Sequence, residues 1–293
     1  MPLPHAALPP DPPSAPRTAP PPGACDAHVH MLARDYPLWD ERAEDPAPGG
    51  FDDWMARLER HLDRLGMDRV VIVHSILHGD DNAVTTDAVR RLADRARGIG
   101  LVRDGAAEAE LDTLAAAGLV GVRVNTVHGG ILSWDGVKRL APALAARGMH
   151  VQVLTRADRD LPGLATDIRA MGVPVVIDHL GWPDLDAGTA EPGFETLRRL
   201  VADGVAHVKL SAPYRRCVAP YDAAAAHVAA LASANPERCL WGSDWPHIML
   251  ADATPPDAGV LLDAFHDAVT SEADRRAILV DGPARLYGFG AAA

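Results

Sequence analysis

His28 and His30 flank a single valine in the run Asp26-Ala27-His28-Val29-His30, which follows a proline-rich leader and reads as the end of a short strand. Side chains two apart in a strand share a face. The two imidazoles therefore project together, while Val29 points the other way. In a barrel of parallel strands that shared face is the lumen, and active sites are built at the carboxyl ends of the strands. An H-x-H pair carries little by itself. Its weight comes from what the rest of the chain brings beside it.

Polar residues recur where apolar runs end. His74, Ser75 and His78 follow Val70-Val71-Ile72-Val73, and Arg123 and Asn125 end the run from Gly121. Asp178-His179 ends the run from Val173, and Ser211, with Tyr214 and Arg215 beyond it, ends the run from His207. Asp244 ends the run from Arg238. Burying an unpaired charge or imidazole is costly, so so many at strand ends point to chemistry. Two readings suit a cluster of His28, His30, His179 and Asp244. In one, those four hold a divalent metal such as Zn²⁺, which lowers the pKa of a bound water and polarises a carbonyl. In the other no cofactor is bound: Asp244 is the general base on a water, and the imidazoles donate hydrogen bonds to the carbonyl oxygen. Both hydrolyse a carboxylic ester or amide, and the residues alone leave the choice open.

The elements that must position these residues alternate regularly. Helical spacing of Trp54, Leu58, His61, Leu62 and Leu65 predicts a helix over 51–66, stopped by Gly66. Strands are expected at 70–73, 98–102, 121–125, 150–154, 173–179, 207–211 and 238–244. Helices are expected from about 82, then at 107–117, 135–147, 161–171, 193–203, 221–234, 257–268 and 271–280. With the strand carrying the histidine pair this makes eight strand–helix repeats. Short apolar strands between amphipathic helices imply a parallel sheet covered on both faces, and eight strands close a barrel. The expected fold is a single-domain α/β (β/α)8 barrel over 23–290, preceded by a disordered or extended Pro-rich leader over 1–22.

Composition narrows the partners. A net charge of −12 over 293 residues argues against nucleic acid, which needs a basic stripe. Cys25, Cys217 and Cys239 are odd in number and far apart, which suits free thiols in a reducing compartment. No apolar run is long enough to span a membrane, and residues 1–22 lack the pattern of a secretory signal. The expected setting is cytoplasmic, with a small molecule as partner and a homo-oligomer left open.

Five stretches together carry a resemblance. They are Cys25–His30 (C-D-A-H-V-H), Leu77–Asn82 (L-H-G-D-D-N), Gly121–Asn125 (G-V-R-V-N), Ile177–Asp184 (I-D-H-L-G-W-P-D) and Leu240–His247 (L-W-G-S-D-W-P-H). The set resembles the amidohydrolase superfamily, in the branch of 2-pyrone-4,6-dicarboxylate lactonase and related sugar-lactone hydrolases and isomerases, over about residues 24–289. The resemblance implies a barrel that opens a lactone ring with water. It makes His28, His30 and His179 the groups that polarise the carbonyl, and Asp244 the group that activates the water. Arg123 matches an arginine that grips a substrate carboxylate, a task suited to the planar guanidinium fork. Ser75, His78, Asn125, Tyr214, Arg215 and His247 lie on the matching strand ends and loops and are further substrate-binding candidates. The pyrone-dicarboxylate lactonase works without metal, whereas other members of the superfamily bind zinc with similar residues. A carboxylated bridging lysine has no candidate: Lys138 lies on a helix and Lys209 on the seventh strand.

Two departures bear on the substrate. Trp182 stands where that lactonase has an arginine after the glycine, and Leu154, beside Thr155 and Arg156, stands near its tyrosine. A less doubly acidic lactone, or one gripped differently, is implied, with a sugar-acid lactone as good a candidate as a pyrone. A zinc-dependent decarboxylase of the same barrel and an intramolecular lactone isomerase are the competing activities.

Overall fold

The computed structural model describes residues 3–251 and 253–290. Its centre is one eight-stranded parallel sheet in the order β1 to β8, each strand paired with its neighbour in sequence. The strands are β1 (Cys25–Val29), β2 (Arg69–Val73), β3 (Ala96–Gly100), β4 (Leu119–Asn125), β5 (His150–Leu154), β6 (Val175–Ile177), β7 (Ala206–Ser211) and β8 (Cys239–Gly242). The helices between them are α1 (Phe51–Leu65), α2 (Ala83–Leu92), α3 (Glu108–Ala116), α4 (Trp134–Ala145), α5 (Leu161–Ala170), α6 (Pro192–Ala202) and α7 (Asp222–Ala234), followed by α8 (Ala258–Ala268), α9 (Glu272–Arg276) and α10 (Gly282–Tyr287). This is the (β/α)8 barrel that the alternation implied.

The seam between β8 and β1 closes the ring. The Asp244 N–H donates to the His28 carbonyl at 2.9 Å, and the His30 N–H donates to the Trp245 carbonyl at 2.7 Å. Glycine is required at Gly242, where a Cβ would lie 2.7 Å from the Cβ of His28. Asp26 clamps the seam from below. Its carboxylate accepts from the Ser243 N–H at 2.9 Å and the Ser243 hydroxyl at 2.5 Å, and it lies 3.3 Å from His61 on α1. The first residue of the D-A-H-V-H run thus fixes the two strands that carry His28, His30 and Asp244.

Local chemistry explains the helix ends. Gly50 starts α1, and the Asp53 carboxylate accepts from its N–H. Gly66 ends it at a φ of +76°, which glycine adopts without strain. The buried stripe of α1 is Trp54, Met55, Leu58, His61, Leu62 and Leu65, as the spacing predicts.

Three boundaries differ from expectation. Strand β3 ends at Gly100 because the Asn82 side chain takes both backbone groups of Leu101, at 2.9 and 2.8 Å, and ends the ladder there. Strand β6 is shorter than 173–179, since the chain turns sharply at His179, whose φ is +53°. The helix expected over 271–280 is α9, a wide turn over 277–281 and then α10. Residues 3–22 lie against the barrel. Asp11 accepts from Arg57 and Arg60 on α1, while Ser14 and Arg17 bond Asp257, Asp263 and Asp267 at and along α8. No helix among the described residues is long and apolar enough to cross a membrane.

Candidate active site

The barrel places all four candidate catalytic residues at one point. Oδ1 of Asp244 lies 3.5 Å from Nε2 of His28, 3.4 Å from Nε2 of His30 and 3.8 Å from Nε2 of His179. All four side chains are buried. They meet because β1 and β8 adjoin at the seam while β6 faces them across the lumen. Asp244, His179 and Trp182 all have positive φ, at +62°, +53° and +50°. Such backbone is uncommon for residues with a Cβ and clusters at functional sites.

The other oxygen of Asp244 is held separately. Oδ2 accepts from the Tyr214 hydroxyl at 2.5 Å and from the Arg215 guanidinium at 3.1 Å. Burial pushes the Asp244 carboxyl up, but His179 and Arg215 outweigh it and hold it well below the usual carboxylate range. Burial, with Asp244 adding to it, drives the Tyr214 phenol well above its ordinary value, so it stays protonated and donates.

The histidines are oriented from behind. The Nδ1 of His30 lies 2.8 Å from the Val73 carbonyl and donates to it, which fixes the ring with Nε2 toward the site. The Nδ1 of His179 lies 2.9 Å from the Ser211 hydroxyl. Burial depresses the pKa of His179 to about 4 and that of His28 well below its usual value, so both are neutral at pH 7.

Beneath His28 is a charged layer. Lys209, fully buried, lies 3.2 Å from Nδ1 of His28, donates to Gln152 Oε1 at 2.7 Å and stands 3.7 Å from Asp178. Gln152 in turn donates to Asp178 at 3.1 Å, and Arg123 donates to the same Asp178 oxygen at 3.2 Å. Burial pushes Asp178 up, but His28, Lys209 and Arg123 outweigh it and keep it ionised. Burial lowers the Lys209 ammonium to about 8. Sequence reasoning set Lys209 aside and gave Asp178 and Gln152 no role. The signal was available: a lysine and a glutamine inside apolar, fully buried strands need polar partners.

A cavity opens above the cluster, lined by His30, Ser75, Arg123, Asn125, His128, His179, Arg215 and Asp244 on its polar side and by Ile76, Leu154, Trp182, Ile248 and Met249 on its apolar side. Ser75, Arg123, Asn125 and Arg215 are therefore where a substrate would touch them. Three other candidates are not. The ring of His78 bonds the Pro37 carbonyl at 2.8 Å and the Ala33 N–H at 3.4 Å, so it ties the 31–50 loop to the segment after β2 and is not among the residues lining this cavity. Tyr214 spends its hydroxyl on Asp244. His247 packs edge-on to Tyr214, with ring centres 5.3 Å apart, and also lies off the cavity.

The donor set fits a divalent cation. Zinc–ligand distances of about 2.0–2.2 Å separate tetrahedral donors by roughly 3.3–3.6 Å. The three Nε2 atoms stand 3.4–3.8 Å from Oδ1 of Asp244, and Nε2 of His28 has no partner in the protein. The ligand atoms of His28, His179 and Asp244 all lie within 4.8 Å of one another.

The comparisons with known proteins agree with this architecture. The chain is 34% identical to 2-pyrone-4,6-dicarboxylate hydrolase of Comamonas testosteroni, over 94% of this chain and 93% of that protein. It is also 34% identical to 4-sulfomuconolactone hydrolase of Rhizobium radiobacter, over 98% and 99% of the two chains. An apo crystal structure from Agrobacterium tumefaciens superposes with a TM-score of 0.81 at 26% identity, covering 94% of this chain and 98% of the other. The amidohydrolase family profile matches residues 25–289, the whole barrel, and the chain belongs to the amidohydrolase family.

Proposed function

We propose that this protein is a lactonase that opens the ring ester of a carboxylate-bearing lactone with water. The reading is carried by one observation: Oδ1 of Asp244 lies within 3.8 Å of three imidazole Nε2 atoms on the floor of a cavity that Arg123 and Arg215 also line. The names of the two relatives support it, since each is a hydrolase of a lactone or pyrone.

The chain's own groups account for the steps. The lactone carbonyl oxygen sits against the imidazoles of His28 and His179, whose N–H groups stabilise the charge that develops on it. Asp244 takes a proton from water through Oδ1 while Tyr214 and Arg215 fix Oδ2. The water oxygen bonds to the carbonyl carbon, and the ring C–O bond breaks. The proton on Asp244 passes to the departing ring oxygen, which restores the carboxylate. Arg123 donates its Nε–H to Asp178, with Nη2 3.2 Å from the same oxygen, and has further donors for a substrate carboxylate. A divalent ion held by His28, His30, His179 and Asp244 would supply Lewis acidity and a more acidic bound water.

The test is an assay on pyrone and sugar-acid lactones in H₂¹⁸O, with and without chelator. A hydrolase incorporates one heavy oxygen per turnover. An isomerase incorporates none, and a decarboxylase releases CO₂. Asp244→Asn should lower kcat by roughly 10²–10⁴ on the best substrate. Full turnover by that variant would remove Asp244 from its role. Loss of activity with chelator, restored by Zn²⁺, would identify a working metal.

A further inference from the structure

We infer that the site has a second chamber beyond Arg123, which takes a short alkyl branch, a methyl or an ethyl, on the substrate carbon that bears the carboxylate. The chamber lies at the ends of β2, β3 and β4. Ile76, Arg123 and Asn125 line both it and the main cavity, so the two spaces meet at those three side chains. Leu101 and Leu132, both buried, form its inner wall. Its outer wall is Gly129 and Gly130, which carry no side chain to fill it. The loop that brings them there is pinned at its start, where Oδ1 of Asn125 accepts from the N–H groups of Val127 and His128, both at 3.0 Å.

The polar atoms around the chamber decide what it accepts. His74 also lines it, but both ring nitrogens are taken: Nε2 donates to the Gly79 carbonyl at 3.1 Å, and Nδ1 accepts from the Thr85 hydroxyl at 2.8 Å. What remains is a guanidinium at the neck with the aliphatic side chains of Ile76, Leu101 and Leu132 around the space behind it. A second anionic group would be desolvated there with no cation past Arg123 to pair with, whereas a carbon branch gains by leaving water. The free volume is about 20 Å³. About 10–15 Å³ suffices for one water-sized group, so the space suits a methyl or an ethyl and no longer chain. A carboxylate gripped by Arg123 brings the carbon that bears it to the neck, and a branch on that carbon is the group that enters. The substrate named here rests on the lactonase reading above; the selection of a branched acid does not.

The experiment is calorimetric binding of tetrahydrofuran-2-carboxylate and its 2-methyl, 2-ethyl and 2-propyl homologues to the full-length protein. These cyclic ethers have no ester to open, so binding is read without turnover. Affinity should rise about fourfold for each carbon from the parent to the ethyl homologue, the scale of one buried methylene, and fall at propyl. In Leu101→Phe, which narrows the chamber, the advantage of the branched acids should vanish. In Leu132→Ala, which widens it, the preference should extend to propyl. Equal affinity along the wild-type series would overturn the inference, as would failure of every member to bind or loss of the preference in both variants alike. The wild-type series decides even if neither variant folds. The same homologues of 5-oxotetrahydrofuran-2-carboxylate, a true lactone, then give kcat/KM. Branch-selective binding with no ring opening would leave the chamber standing and remove the lactonase reading. Ring opening with no branch selectivity in either series would do the reverse.

Discussion

The guanidinium of Arg215 donates to Oδ2 of Asp244 at 3.1 Å, and the imidazoles stand around Oδ1 of the same carboxylate. The two oxygens thus have separate tasks: one anchors the group and the other faces the chemistry. Arg215 is also among the charges that hold Asp244 ionised against burial. Removing it should raise the Asp244 pKa. A base works above its pKa, so the acid limb of kcat/KM in Arg215→Met should move to higher pH than in the wild type. A pH profile of both proteins on one substrate measures this, and an unmoved limb would separate Arg215 from the state of Asp244.

The cavity wall bears on substrate choice. Leu154 and Trp182 line it where the resemblance leads one to expect polar contacts to a second carboxylate. A lactone with one acidic group and an apolar flank should therefore be the better substrate. Trp182→Arg with Leu154→Tyr should shift the ratio of kcat/KM toward a dicarboxylated pyrone by about tenfold or more, the scale of one charge-assisted hydrogen bond. Competition between the two substrate types would read the ratio directly.

Barrel closure is testable at Gly242. A methyl group there meets the Cβ of His28 at 2.7 Å and its backbone nitrogen at 2.8 Å, so β1 and β8 must separate. Gly242→Ala should cost roughly 1–3 kcal/mol, as overpacking does. That is a fall in Tm of about 2–4 °C per kcal/mol at this chain length or slightly less. The same shift moves His28 relative to Asp244, so activity should fall more than stability. A variant with wild-type Tm and kcat would show that the seam can relax.

Buried histidines set the acid limit of the fold. Burial depresses His74 and His150 from 6.5 to about 3 and His207 to about 4. Their folded-state values lie below the unfolded ones, so the unfolded chain binds more protons between those limits. Their contribution is complete above about pH 6.5 and is lost as pH falls toward 4, by up to about 1.4 kcal/mol per group for each pH unit. Urea unfolding at pH 7.5, 6 and 5 should show the midpoint falling with pH, and His150→Gln should flatten that slope. A midpoint independent of pH over this range would contradict it.

The sequence made the frame legible because the two periodicities differ sharply. Strands such as Val70–Val73 are wholly apolar, and helices such as α1 carry one buried stripe, so the strand–helix count could be read residue by residue. The strand ends were legible for a related reason: His28, His30, His179 and Asp244 interrupt or end apolar runs. Boundaries were harder where a side chain replaces a backbone partner, as Asn82 does for Leu101 at the end of β3. The orientation of His78 was not legible because a strand-end imidazole in sequence carries no sign of which way its loop folds; its partners, Pro37 and Ala33, lie some forty residues earlier.

By itself, the order of residues determined that eight buried strands must alternate with helices, and which polar groups would arrive at the barrel mouth, because strand parity and hydrophobic period are local properties. Only the closed ring decided what those groups do to one another. Lys209 and Gln152 come from two strands and Asp178 from the end of a third, and no local pattern says that they stack under His28. The division of Asp244 between its two oxygens likewise depends on the seam at Gly242 and on the turn that brings Arg215 across. Hydrogen-bond direction and charge pairing are decided at about 3 Å, a distance that the chain reaches between residues more than a hundred positions apart only by folding.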